Sequence, residues 1–266
     1  VPAPEELARR PSAADAWRRG AVPAADRALA GGGDPGRAPP ELAAVLGGRR
    51  LQIKDIPRFP AFSPDNKLLA VPSGHDVMLF DARTGQHLRT LAGHAARVFN
   101  LAFTRAGHYL ASASMDRTVK VWEPATGRLV HTLRGHEKGV WSVAFSPDGQ
   151  VLASGGEEGA LRLWSVARGM ELSCHADAHA GIVFSLAFSP DGKTLASAGS
   201  DRRVRLWDPV PGRARQNLKH EGDNLMGLAF RPDNKVLATG SDTALKLWAL
   251  EGPGPKGALA RELRTI

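Results

Sequence analysis

Four sets of residues in this 266-residue chain repeat a histidine, a hydroxyl side chain and a carboxylate: His94, Ser112 and Asp116; His136, Ser154 and Glu158; His179, Ser197 and Asp201; His220, Thr239 and Asp242. A histidine set between a hydroxyl and a carboxylate is the constellation of nucleophilic hydrolysis, in which imidazole takes the hydroxyl proton and the carboxylate orients the ring. A catalytic triad occurs once in a chain. A set that recurs four times at one period is expected to be structural, so no catalytic residue is assigned and the chain is not expected to be an enzyme. The run CHADAH holds Cys174, His175, Asp177 and His179 at a spacing that superficially suits metal ligands. Alternation would put these side chains on one face of a strand. His179 already has a place in the repeating set, however, and no second cluster closes a tetrahedral site. No metal and no cofactor is therefore expected. The sequence carries no GxxxxGK[ST] phosphate loop, no HExxH and no protein-kinase signature.

The elements that position these residues follow one period. Phe62, Phe103, Phe145, Phe188 and Phe230 each follow an alanine, at separations of 41, 42, 43 and 42. Phe80, Trp122, Trp164, Trp207 and Trp248 are separated by 42, 42, 43 and 41, and the four histidines by 42, 43 and 41. Between these markers lie four short strand-like runs per period, such as TVKVW, RLVHTL, VWSVAF and VLAS, parted by turns such as EPATG and SPDG. In SPDG the proline presets φ and the glycine supplies a positive φ, which suits a type I turn joining hairpin strands. A period of about 40–45 residues with four short strands is that of a β-propeller blade.

The segments LRGH, AFSPDG, LASGG and VRLWD resemble the WD-repeat family, and the resemblance covers about Ile56 to Ile266. It implies an all-β fold, a WD-repeat β-propeller of four-stranded antiparallel blades around a channel. It also relates the recurring residues as a buried hydrogen-bonded chain: tryptophan indole to hydroxyl, hydroxyl to histidine, histidine to acid. The four expected tetrads are His94, Ser112, Asp116 and Trp122; His136, Ser154, Glu158 and Trp164; His179, Ser197, Asp201 and Trp207; and His220, Thr239, Asp242 and Trp248. The fifth repeat is one residue shorter between Leu237 and Trp248, and the Gly/Pro-rich EGPGPKG follows it. The first repeat departs most, with Gly74 where an aspartate is expected and Phe80 in place of tryptophan.

Repeats are expected near 57–94, 95–136, 137–179, 180–220 and 221–266. Residues 1–40, rich in Pro, Gly, Ala and Arg with the breaker run GGGDPGRAPP, read as a partly disordered linker ahead of a propeller domain over 41–266. Two segments, Leu42–Leu46 and Leu259–Ile266, each look like an outer strand. Five repeats with two candidate outer strands predict an incomplete part of a larger ring, because propellers of this family mostly have about seven blades. Unpaired blade edges then invite association between chains. The first residue is Val and no apolar signal core follows it, which points to a fragment, a processed form or a cloned segment.

Composition sets the remaining expectations. A single cysteine, Cys174, rules out an intramolecular disulfide and suits a reducing, cytoplasmic setting. No run of about 18 apolar residues is present, so no membrane span is expected. The formal charge is +8, but arginine is spread through every repeat and no Lys/Arg block exceeds two residues, so nucleic acid is not an expected partner.

The resemblance implies a scaffold that binds other proteins or peptides on a propeller rim. Its rim positions read Phe99, Trp141, Phe184 and Leu225, expected to be partly exposed. Arg97, Gly139, Ile182 and Asp223 lie two residues earlier, and Met115, Glu157, Ser200 and Ser241 stand before the acids. An aromatic cluster bordered by arginine and acids has the composition of a binding hot spot, with packing between blades as the other reading. The alternative function is a regulatory or sensor module of a longer enzyme, such as a kinase or protease.

Overall fold

A computed structural model describes residues 59–209, 212–220, 224–250 and 260–265. The proposed linker and Leu42–Leu46 lie outside these, as does Asp223. The chain divides into two compact units. In the smaller, Val1–Lys54 with Thr84–His87, the described part is Thr84–His87, where the Thr84 hydroxyl accepts from the Gln86 N–H at 3.3 Å. The larger, Asp55–Arg83 with Leu88–Ile266, holds the body of five sheets.

Each sheet is a four-stranded antiparallel blade. Blade one comprises β1 (Ala61–Phe62), β2 (Leu68–Ser73), β3 (Asp76–Asp81) and β4 (His87–Leu91). Blade two comprises β5 (Val98–Phe103), β6 (Leu110–Ser114), β7 (Thr118–Glu123) and β8 (Arg128–Arg134). Blade three is β9 (Val140–Phe145), β10 (Val151–Gly156), β11 (Leu161–Ser165) and β12 (Met170–His175). Blade four is β13 (Val183–Phe188), β14 (Leu195–Gly199), β15 (Arg203–Asp208) and β16 (Arg213–Lys219). Blade five is β17 (Gly227–Phe230), β18 (Val236–Gly240), β19 (Leu245–Leu250) and β20 (Ala260–Thr265).

The turn between the first two strands shows how short-range chemistry sets each blade. Ser63, Ser146 and Ser189 donate their hydroxyls to Asp65, Asp148 and Asp191 two residues on, at 2.6, 2.5 and 2.6 Å. Each carboxylate also accepts the N–H of the residue two further along: Lys67, Gln150 and Lys193. The position between takes a left-handed φ, which glycine or asparagine tolerates; it is Asn66, Gly149 and Gly192 (φ 57, 70 and 72°).

Packing between blades forms the core. Four apolar clusters fill four seams, and each joins one blade to the next. In every seam the tryptophan of the following blade (Trp122, Trp164, Trp207 or Trp248) lies among small and branched residues of the preceding one. A closed ring of five blades would need a fifth seam. Among the described residues the sheets do not close. The stripe that the seams bury shows the same: Val77, Val119, Leu161 and Val204 are 0% exposed, whereas Leu245, their counterpart in blade five, is 41% exposed. The larger unit is an open arc.

Candidate functional site

Two groups of recurring side chains carry the candidate site: the histidine sets, and the aromatic residues of the first strands of blades two to four.

In blade two, His94 Nδ1 lies 2.7 Å from Asp116 Oδ2 and Nε2 lies 2.7 Å from Ser112 Oγ, while the Trp122 indole donates to that hydroxyl at 2.8 Å. Blade three repeats this with His136, Glu158, Ser154 and Trp164 at 2.6, 2.7 and 2.8 Å. Blade four repeats it with His179, Asp201, Ser197 and Trp207 at 2.8, 2.7 and 2.8 Å. The linked atoms of blade two follow one proton order, indole N–H to hydroxyl, hydroxyl O–H to Nε2, Nδ1–H to carboxylate; in blade three Glu158 Oε2 meets no partner among the described residues, and in blade four Arg205 also lies 2.7 Å from His179 Nδ1.

Burial pushes His94 and His179 below the ordinary histidine range, against the pull of Asp116 and Asp201, and so favours the neutral form of both rings. Burial raises Asp116, but the Thr118 hydroxyl, the Ala95 N–H and His94 outweigh it and hold the carboxyl at about 2. Asp201 is likewise held low, with His179 and Arg205 outweighing burial.

Hydrolytic chemistry has no access here. Ser112, Ser154 and Ser197 are 0% exposed, and an indole N–H occupies the lone pair a nucleophile would use. The arrangement instead pins the tryptophan whose ring fills the seam with the preceding blade, so a local hydrogen-bond chain fixes a long-range packing contact.

The set in blade five does not close. Trp248 donates to the Thr239 hydroxyl at 2.9 Å, but His220 Nε2 meets the Thr239 backbone carbonyl at 3.2 Å. Asp242, expected in this tetrad, is exposed. Blade five is one residue shorter here, which moves the acid off the histidine.

A basic residue recurs at the same period, and in blade four it joins the set. Lys120, Arg162, Arg205 and Lys246 stand in the third strand of blades two to five, separated by 42, 43 and 41. Arg205 donates to Asp201 at 2.7 Å, Lys246 to Glu262 at 3.1 Å and Lys120 to Thr132 at 3.0 Å, while Arg162 pairs with Glu171.

The aromatic residues rest on a repeated irregularity. The register of the first two strands slips at Val98/Asn100, Gly155/Gly156 and Val183/Ser185, and Phe99, Trp141 and Phe184 stand at the positions the register skips. Such bulges re-aim a side chain. Here they turn three rings toward one another across two seams. Phe99 stacks on Trp141 (centroids 4.4 Å, 15°), and Phe184 meets Trp141 edge-on (5.7 Å, 83°). The Arg97 guanidinium lies 5.9 Å from the Phe99 centroid.

The backbone ties the neighbouring rim positions pairwise: Met115 N–H to Arg97 O, Glu157 N–H to Gly139 O and Ser200 N–H to Ile182 O. Met115 is 38% exposed; Arg97, Trp141, Glu157, Ile182 and Phe184 are half-buried. Phe99 and Leu225 are buried, not partly exposed as the sequence suggested, because Phe99 is covered by Trp141 and Leu225 belongs to the seam between blades four and five.

CHADAH does not present its side chains on one face. Cys174 and His175 are adjacent in β12, facing Arg162 and Leu161 in register, and Cys174 is exposed; Asp177 lies in the turn that follows.

Comparison with known proteins agrees with this geometry. The family described as WD domain, G-beta repeat matches residues 85–123, 127–165, 170–208 and 212–249, more than half of the chain. The chain belongs to this family. Each matched span begins at or just before the outer strand of one blade and ends in the third strand of the next, so the repeat in the sequence straddles a seam. Among curated proteins, the chain is 38% identical over 64 residues to a periodic tryptophan protein 2 homolog of Schizosaccharomyces pombe, covering 23% of this chain and 8% of that protein. It is 44% identical over 62 residues to the target of rapamycin complex subunit wat1 of the same yeast, covering 23% and 20%. It is 34% identical over 70 residues to the human intraflagellar transport protein 122 homolog, covering 26% and 5%. The matched stretches thus span a fifth or less of these relatives. Among solved structures, a chain of a mitotic checkpoint complex superposes with a TM-score of 0.71 at 25% identity, covering 78% of this chain and 63% of that one. No helix among the described residues is long and apolar enough to cross a membrane.

Proposed function

We propose that this WD-repeat arc is a protein-interaction scaffold without catalysis of its own. Its partners are proteins or peptides that dock on the face carrying Phe99, Trp141 and Phe184. The observation behind this reading is the aromatic row built by three bulges. Regular pairing would have kept those side chains in the sheets; the bulges gather them on one face instead. Exposed Met115 and the half-buried groups Arg97, Glu157 and Ile182 border the row. An apolar centre with a charged border suits a partner segment that offers apolar side chains flanked by charge. Membership of the family and the presence of its structural neighbour within a complex support a binding role. Phe99 and Leu225 act from beneath, Phe99 as the platform under Trp141. Asp223, two residues before Leu225 in the sequence, belongs to the same proposal.

The experiment is affinity purification with three proteins: wild type, Trp141→Ala/Phe184→Ala, and Met115→Glu. Met115 is exposed, so its replacement leaves the melting temperature near that of wild type while placing a charge on the face. Loss of the same co-purifying proteins from both variants is the expected result. Retention of every partner by both, with folding intact, would refute the docking face.

A further inference from the structure

The seam between blades three and four departs from the other three at one position. In blades two and four the residue paired with the first buried apolar position of the third strand is a leucine: Leu133 opposite Val119 and Leu218 opposite Val204. Leu91 of blade one holds the same place in its cluster. These leucines are 1–4% exposed and share their clusters with the next blade's tryptophan. In blade three the residue opposite Leu161 is His175. Its ring lies against Trp207 of blade four, with centroids 5.0 Å apart at 35°.

A titratable ring thus stands where the other seams hold hydrocarbon. Among the described residues its buried Nε2 meets no hydrogen-bond partner, and neither does the buried Oγ of Ser173 on the same face of β12. Both atoms face Gly212, the residue before β16 of blade four, where a Cβ would come within 2.6 Å of Nε2 and 2.8 Å of Oγ. A groove of about 550 Å³ opens beside the ring, lined by His175, Asp177, Arg205, Trp207, Arg215 and Gln216.

We propose that the seam between blades three and four is an acid-weakened joint, in which protonation of His175 favours separation of the two blades. The charged groups around the ring do not compensate a new positive charge. From β15 and β16 the facing groups are Arg205, paired with Asp201, and Arg215, paired with Asp208. Arg213 follows Gly212, and on blade three Arg162 is paired with Glu171. Asp177 lines the same groove but is exposed. Burial alone holds His175 below the ordinary histidine range.

The sign follows from linkage. A ring whose proton affinity is depressed in the closed seam takes up a proton on opening. The closed seam is therefore fully favoured above about pH 6.5 and loses ground as the pH falls below it. His94 and His179 shift in the same direction but lie in hydrogen-bonded sets, so only a change at His175 isolates the joint.

The test is amide hydrogen exchange of the wild type and of His175→Leu at about pH 7.5 and about pH 5.5, corrected for the intrinsic rate. In the wild type, protection of β12 and β16 should fall at the lower pH by more than in the variant, by up to about tenfold, while β5 to β8 behave alike in both proteins. An equal fall in both proteins, or a fall spread evenly over all four seams, would overturn the proposal. Should His175→Leu fail to fold, His175→Gln, polar but without charge, must show the same loss of pH dependence; a wild-type response in that variant also overturns it.

Discussion

Replacing Asp116 with alanine is the sharpest test of what the histidine sets do. The carboxylate accepts four hydrogen bonds: His94 Nδ1–H at 2.7 Å, Ala95 N–H at 2.9 Å, Thr118 N–H at 2.9 Å and the Thr118 hydroxyl at 2.6 Å. At about 1 kcal/mol net for each bond, and with water able to replace the carboxylate at Ala95, the loss is about 3 kcal/mol. The titration leads to a similar figure. A carboxyl held at about 2 instead of 3.8 contributes about 2 kcal/mol in its charged form, and a side chain only 8% exposed is little screened. For a chain of this size each kcal/mol moves the melting temperature by about 2–4 °C, so Asp116→Ala should melt roughly 4–12 °C below wild type at neutral pH. The group's affinity for protons is depressed on folding. Its contribution is therefore complete above about pH 4 and disappears as the pH falls from 3.8 through about 2, and the gap between the two proteins must narrow over that range. Thermal melts followed by circular dichroism at a series of pH values read both quantities. A variant that melts within about 1 °C of wild type, or a gap that stays constant down to acid pH, would refute the assignment of Asp116 as the anchor of the set.

Asp242→Ala in blade five is expected to change stability by no more than about 0.5 kcal/mol, since this acid is exposed and outside its set; a loss comparable to that of Asp116→Ala in parallel melts would show that the fifth set closes in solution. Leu245→Lys should reduce self-association of the 266-residue chain, because it charges the stripe that every other blade buries. Light scattering coupled to size exclusion measures this, and an unchanged mass distribution in an associating wild type would show that the chains meet elsewhere.

The sequence by itself determined the blades. Strand, turn and strand within a blade are local, so the period of Phe62, Phe103, Phe145, Phe188 and Phe230 and the Ser–Pro–Asp turns suffice to specify where each sheet begins and folds back. The spacing also selects the groups in blades two to four that lie within hydrogen-bond reach, because the histidine, hydroxyl, acid and indole of a set fall within about one period of chain. Tertiary structure decided whatever depends on the neighbouring blade or on a slip in register. The bulges at Phe99, Trp141 and Phe184 come from the mismatch of paired strands, which no residue type announces. Leu225 and Phe99 read as rim residues in the sequence, but Phe99 is covered by Trp141 one period away and Leu225 by the cluster between blades four and five. A one-residue shortening was visible in blade five, but its consequence, His220 turned to a backbone carbonyl and Asp242 left exposed, depends on the path of the backbone. His175 shows the same division. In the sequence it belongs to a run with metal-like spacing; in the folded arc it takes the place of a seam leucine, because burial is set by the surface opposite, and that surface is Trp207 of the next blade.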